Sequence, residues 1–441
     1  MSLDVELLSP ADRAWLRMET PDNPMVITAL LTFAEPLERA DLERVIEERL
    51  LPLPRFRQRL APGDDGSAHR WELDADFDLR GHLRHVALPS GDDNHELQTM
   101  VSDCMSTPLD SRRPLWQVHL VEGYLGGSAV ICRMHHALAD GIALVRLLLS
   151  LAEPEGAPSW KPSARPTTLE AARHQLAQEM REMVAHPRHV VELAQRGAAG
   201  AMALGRLLAL SREPATSLKG PLGANKRAAW SRSIELAQLK DLAHRHDAKV
   251  NDVLAALVSG AVRRYLRNHG EHVGTEVRAA MPVNLRSAGE EPALGNRFGL
   301  VFLGLPIELE SPVARLREVA RRTRALKVSG EAAATFAVIG ALAFGSDAVD
   351  DTIVDLFEAK ATLVLTSVAG PDKPVHAFGR RVSSIAFWVP QAGRLGLGVS
   401  MFSYAGNVRI ATASDAKRIA SPSEFVEAIE ADLVALQADS H

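Results

Sequence analysis

Met134-His135-His136-Ala137-Leu138-Ala139-Asp140-Gly141 is the stretch on which the reading of this chain turns. It follows an apolar run, Ser128 to Met134, that reads as a buried strand, and it opens a segment in which Ile142, Val145, Leu148 and Leu149 recur at helical spacing. A histidine at a strand end is fixed by the sheet and can aim one ring nitrogen at a hydroxyl or thiol. Its ordinary pKa, about 6.5, suits it to take a proton near neutral pH. Asp140 stands where a helix N-cap belongs, and Gly141 bares the backbone where substrate or another segment must pass closely. His136 is thus the candidate base and Asp140 the candidate architectural residue. The competing reading, core or loop histidines beside an ordinary cap, fits a lone histidine better than this spacing in this context. A metal pair is weaker still, because neighbours on one strand point to opposite faces.

Working outward, the residues up to about Leu151 alternate β-rich and helical runs. Met25 to Phe33, Trp116 to Leu120 and Ser128 to Met134 read as strands, and Ala40 to Leu50 and Gly141 to Leu151 as helices. From Ala152 to about Lys226 the composition shifts to clustered prolines (Pro154, Pro158, Pro162, Pro166) and Ala-rich helix, closing on the turn Lys219 to Gly223. The α/β pattern then restarts. Strands are expected at Ala228 to Ile234, Glu276 to Met281, Gly299 to Pro306, Ala361 to Thr366, Ser383 to Val389, Leu395 to Tyr404 and Asn407 to Thr412. Helices are expected at Leu236 to His246, Asn251 to Asn268, Pro312 to Leu326 and Glu424 to Leu436. This is an α/β chain in three parts: an N-terminal domain over 1–155, a helical linker over 156–226 and a C-terminal domain over 227–441.

Composition narrows the function. The 441 residues are 46% hydrophobic and 24% charged, ample for buried cores, and 50 basic against 55 acidic residues leave a net charge of -5. With no basic excess, nucleic-acid binding lacks its electrostatic warrant. Two cysteines, Cys104 and Cys132, make neither a disulfide framework nor a four-ligand zinc site, so a reducing cytoplasm is the expected setting. The first residues lack the basic-then-apolar order of a signal peptide. The longest apolar stretches, Ala332 to Gly345 and Ala198 to Leu210, fall short of the roughly 20 residues of a spanning helix. Contact with a membrane surface stays open.

The HHxxxDG motif, with other segments in order, resembles the bacterial wax ester synthase/acyl-CoA:diacylglycerol acyltransferase family, within the superfamily of CoA-dependent acyltransferases and peptide-synthetase condensation domains. The matching segments are Pro10-Ala-Asp12, Phe77-Asp-Leu79 with His82, Pro108-Leu-Asp110, Arg113-Pro114-Leu115-Trp116, Gly220-Pro-Leu-Gly223, Val250-Asn251-Asp252-Val253, Pro282-Val-Asn-Leu-Arg286, Gly295-Asn296 and Ser403-Tyr-Ala-Gly406. The likeness runs nearly end to end. Pro114, Leu115, Trp116, Asn251 and Asp252 are taken as site-shaping. Core packing for Trp116 and helix capping for Asn251 are the alternatives. One departure is visible: the family's Thr-Asn-Val-Pro-Gly-Pro reads Thr366-Ser367-Val-Ala369-Gly-Pro371.

The resemblance implies two chloramphenicol-acetyltransferase-like domains with mixed sheets, joined by the helical linker, and an active site in a tunnel at their interface. It implies acyl transfer from acyl-CoA to a fatty alcohol or a diacylglycerol, with no cofactor and no metal. His136 would be the base, and His135, Asp140 and Gly141 would complete the motif. Asp140 would pair with an arginine, for which Arg286 is the candidate. Thr366 and Ser367 are candidate oxyanion donors, with plain turn chemistry the alternative. Arg317, Arg321 and Arg324, with Arg315 and Arg322 nearby, form a basic helical face for CoA phosphates or anionic headgroups, unless it is a solvated face. The expected location is cytoplasmic, with peripheral contact to the inner membrane or lipid inclusions. Two other functions fit the fold: a condensation-type enzyme with a carrier-bound donor, and an inactive lipid-binding protein. The first predicts carrier modules that this length does not hold, the second a degenerate motif, and here the motif is intact.

Overall fold

The computed structural model describes residues 5–8, 10–62, 70–90, 94–138, 151, 205, 209–284, 298–332, 335, 359–391 and 393–439. Asp140, Gly141, Arg286, the Gly141 to Leu151 helix apart from its last residue, and most of the 156–226 linker lie outside them. The protein is an α/β molecule built on two mixed sheets and a small antiparallel sheet of Val5–Leu7, Arg70–Leu73 and Gln58–Ala61.

The first large sheet has six strands, with Val26–Phe33 and Gly127–His135 paired antiparallel at its centre. Both strands are buried on both faces, which is why they read as near-continuous apolar runs. Trp116–Tyr124 lies antiparallel to Gly127–His135, and Leu83–Ala87 pairs parallel to it at the edge. The strand on the other side of Val26–Phe33 is Arg380–Trp388, about 350 residues later in the chain. The sequence reading assigned it to the C-terminal domain, and the ladder puts it in the N-terminal sheet. The boundary at residue 227 therefore does not separate the sheets. The strand carries a register shift between Val382 and Ser384. That bulge lets Val382, Ile385 and Phe387 share one core, although an unbroken period of two would turn Val382 away.

The second sheet has seven strands. Phe298–Leu305, Val277–Asn284, Leu363–Ala369, Leu397–Tyr404, Asn407–Asp415 and Lys226–Trp230 lie in that order, with the short Ile234–Glu235 also on Asn407–Asp415. Leu363–Ala369 runs parallel to both its neighbours. One face is covered by helices Val250–Asn268, Pro312–Lys327 and Ser423–Ala438, whose apolar sides join one core with Leu363, Leu365, Val399 and Ile410. Within it Arg315 is buried against Asp432, and Gly260 is required there: a β-carbon would sit 2.2 Å from Asp432 Oδ2. Burial pushes the Asp432 carboxyl up, against the pull of Arg315.

The two sheets meet through a shared core that holds Leu30, Ile131, Ala386 and Trp388 of the first and Ala228, Trp230 and Ala411 of the second. Trp230 and Trp388 pack edge-on at 5.6 Å, and Trp388 Nε1–H donates to the Thr412 carbonyl at 3.1 Å. Helix Asn94–Ser106 closes the edge strand Lys226–Trp230: Ser102 Oγ accepts from Ala228 N–H at 3.0 Å and Ser106 Oγ from Lys226 N–H at 2.8 Å. Open backbone donors at a sheet edge invite aberrant pairing, and these serines satisfy them. No helix among the described residues is long and apolar enough to cross a membrane.

Candidate active site

The expected strand Ser128 to Met134 runs one residue further, so that His135 ends it, opposite Val26, and His136 is the first residue beyond. Both histidines are held by backbone hydrogen bonds. His135 N–H donates to the Leu115 carbonyl at 3.0 Å, and His136 N–H to the Met25 carbonyl at 2.7 Å. The first bond brings the Pro114-Leu115-Trp116 segment against the motif. Both imidazoles are buried, His135 to 1% and His136 to 6% exposure.

Their surroundings differ. The His136 ring stacks on Trp15 of helix Pro10–Met18, centroids 3.7 Å apart and planes at 21°. His135 Nδ1 accepts from the Ala137 N–H at 3.0 Å, and its Nε2 lies 3.3 Å from Glu19 Oε2. That second contact has the reach of a charge pair but not the alignment of a hydrogen bond. Trp15 and Glu19 were not singled out in the sequence, although Pro10-Ala-Asp12, just before them, carries the family resemblance.

The site-shaping residues sort into two groups. Trp116 is core: it is 1% exposed, its Nε1–H donates to the Phe56 carbonyl at 2.9 Å, and its ring stacks on His82 at 4.5 Å. His82 Nδ1–H donates to the Trp116 carbonyl at 2.8 Å, and burial, with Arg113 nearby, pushes its pKa down. A polar cavity of about 620 Å³ opens beside His82, Asp110 and Arg113, and neither His135 nor His136 lines it. Asp252, not Asn251, caps its helix: its Oδ2 accepts from Lys249 N–H at 2.8 Å, and its Oδ1 from Thr323 Oγ1 at 2.7 Å. Asn251 instead accepts from Ser367 Oγ at 3.0 Å.

Thr366 and Ser367 do not face the same side of the sheet. They are consecutive on strand Leu363–Ala369, so their side chains leave opposite faces of the sheet. Val364 and Val368, on the Thr366 side, pack against the core that holds Met134, Ala137 and Leu138, whereas Ser367 turns to the helical side and Asn251. Only Thr366, 6% exposed, faces the motif's core.

The expected basic face of Pro312–Lys327 is cross-tied by carboxylates. Arg321 and Arg322 bind Glu318, Arg322 also binds Glu276, Arg324 binds Asp247, and Arg315 is buried on Asp432. Glu318 is held down at about 2 by its hydrogen bond to Arg321. Cys104 and Cys132 are buried free thiols, and burial pushes Cys132 up to about 12, so it carries no thiolate nucleophile at neutral pH. No group of His, Cys, Asp and Glu able to hold a metal ion occurs among the described residues.

Comparison with known proteins accords with this geometry. Residues 8–254 match the wax ester synthase/diacylglycerol acyltransferase catalytic domain, and 294–437 match the C-terminal domain of the same family. The chain is 29% identical over 439 residues to a Mycobacterium tuberculosis protein named probable diacylglycerol O-acyltransferase, covering 96% of this chain and 94% of that one. Among solved structures it resembles the wax ester synthase/diacylglycerol acyltransferase from Marinobacter aquaeolei, with a TM-score of 0.69 at 21% identity over 98% of this chain and 99% of that one. It also resembles the first condensation domain of the calcium-dependent antibiotic synthetase, with a TM-score of 0.66 at 17% identity over 100% of this chain and 96% of that one. At these identities the structural likenesses speak for the fold, and the family model speaks for the lineage. The chain belongs to the wax ester synthase/diacylglycerol acyltransferase family and is an acyltransferase.

Proposed function

We propose that this acyltransferase moves a long-chain fatty acyl group from acyl-CoA to the hydroxyl of a fatty alcohol or a diacylglycerol, with His136 as general base. The observation that carries the reading is His136 itself: a buried imidazole at a strand end, its backbone fixed to Met25 and its ring to Trp15. A hydroxyl is a weak nucleophile, so a base within hydrogen-bond reach is the first requirement. His136 takes the hydroxyl proton as the oxygen attacks the thioester carbon. The tetrahedral intermediate then expels CoA thiolate, the imidazolium returns the proton to sulfur, and the ester leaves. Direct transfer of this kind forms no acyl-enzyme.

In this reading Asp140 pairs with Arg286 and orients the turn after the histidines, and Gly141 leaves room for the chain of the substrate. Thr366 is the candidate oxyanion donor. We read the two mixed sheets as chloramphenicol-acetyltransferase-like halves with the site between them. Because such acceptors and products are water-insoluble, we place the enzyme in the cytoplasm, at the surface of the inner membrane or of lipid inclusions.

The test is release of free thiol from palmitoyl-CoA with hexadecanol or a diacylglycerol as acceptor, with ester formation followed in parallel. Turnover by the native chain that His136→Ala lacks is the expected result. Equal turnover by His136→Ala sinks the base assignment, and activity only with a carrier-bound acyl donor sinks the CoA reading.

A further inference from the structure

We propose that Glu19 is the positioning residue of the histidine pair, reaching His135 through its side chain and His136 through the backbone of Met25. The inference rests on the reading of His136 as the base. The Ala137 N–H donates to His135 Nδ1, so that nitrogen presents its lone pair and the hydrogen of the neutral ring lies on Nε2. Nε2 is buried, and the carboxylate of Glu19 stands 3.3 Å from it. A carboxylate only accepts, so it favours the tautomer that the Ala137 N–H also demands. A ring turned over would set a C–H against each of these partners.

The second arm runs through the main chain. Glu19 Oε1 accepts from Met25 N–H at 3.3 Å, and the Met25 carbonyl accepts from His136 N–H at 2.7 Å. One residue thus links the carboxylate to the base, and the next, Val26, pairs with His135 in the ladder. Glu19 lies four residues beyond Trp15, whose ring stacks on His136. The end of a single short helix therefore bears on both imidazoles. Glu19 itself is 31% exposed and is tied to the motif by these contacts rather than by core packing.

The test compares Glu19→Gln and Glu19→Asp with the native full-length chain, using steady-state kinetics and histidine ¹⁵N spectra in which His135 is assigned by its loss in His135→Gln. In the native chain His135 should carry its hydrogen on Nε2. In Glu19→Gln only one of the two positions held by Oε1 and Oε2 remains an acceptor oxygen, so either Met25 N–H or His135 Nε2 faces an NH2 group, and the Nε2 resonance should shift while the Ala137 N–H still holds Nδ1. There kcat should fall by about a hundredfold while KM for acyl-CoA stays within about twofold, the mark of lost alignment rather than lost binding. Glu19→Asp should restore the native resonance and most of kcat. A native His135 with its hydrogen on Nδ1, or a Glu19→Gln chain with native spectrum and native kcat, overturns the proposal. The spectra require no turnover, so they decide the role of Glu19 even if the proposed reaction fails.

Discussion

Ser367 Oγ donates a hydrogen bond to Asn251 Oδ1 at 3.0 Å, tying the end of strand Leu363–Ala369 to the first turn of helix Val250–Asn268. Both residues lie in segments that carry the family resemblance, and Ser367 is the position at which this chain departs from the family's asparagine. The bond is solvent-facing, so its stability contribution is small. Ser367→Ala and Asn251→Ala are each expected to cost less than about 1 kcal/mol, with the double variant less destabilised than the sum. Urea unfolding of the four chains reads this. Ser367→Asn is expected to change the ratio of kcat/KM for fatty alcohol against diacylglycerol. An unchanged ratio means the position has no part in acceptor choice.

Trp15 should matter through its ring. Aromatic pairs contribute about 0.5–1.5 kcal/mol beyond burial. If the stacking on His136 at 3.7 Å aligns the base, Trp15→Leu loses roughly threefold to tenfold in kcat while Trp15→Phe stays close to native. Leu and Phe variants with the same kcat would reduce the contact to packing.

The Arg315–Asp432 pair is expected to dominate the stability of the second core. Both groups are buried, so Arg315→Ala leaves an uncompensated carboxyl and should cost about 3–5 kcal/mol. Gly260→Ala should be destabilising too, because its methyl would lie 2.2 Å from Asp432 Oδ2. Denaturant midpoints measure both, and a native midpoint for either variant contradicts the packing described.

His119 predicts an acid-side slope in stability. Burial, then the charge of Arg133, hold it down at about 4 against an ordinary 6.5. Between those values the unfolded chain binds a proton that the native chain refuses, so stability falls as pH falls through the window, by at most about 1.4 kcal/mol per pH unit from this group. His119→Gln should flatten that slope when unfolding free energy is followed from pH 7 to 4. An identical slope in the variant assigns the acid sensitivity elsewhere.

Much of the site was legible because its signals are local. The strand that ends on the two histidines follows from an apolar run, and the ladder agrees; Pro114, Leu115 and Trp116 were named on the family resemblance, and a bond from His135 N–H to the Leu115 carbonyl brings that segment against the motif. Non-local partners were not legible. Nothing in the short, polar Glu19-Thr20-Pro21 stretch announces a carboxylate at His135, and the carboxylates that neutralise Arg321, Arg322 and Arg324 include some about 45 to 77 residues away. Thr366 and Ser367 could both be named as candidate donors because the expected strand stopped at Thr366; the strand runs on to Ala369, and alternation puts the two side chains on opposite faces.

From sequence alone came the α/β class, the acyltransferase lineage and the histidines on which the chemistry is placed, because motif spacing and hydrophobic periodicity are properties of neighbouring residues. Tertiary structure alone decided that Arg380–Trp388 completes the first sheet, that Asp252 caps while Asn251 meets Ser367, and that Glu19 and Trp15 close on the histidines. Each is a contact between segments distant in the chain or across a turn, where which partner wins depends on the packing of whole sheets and not on any local preference.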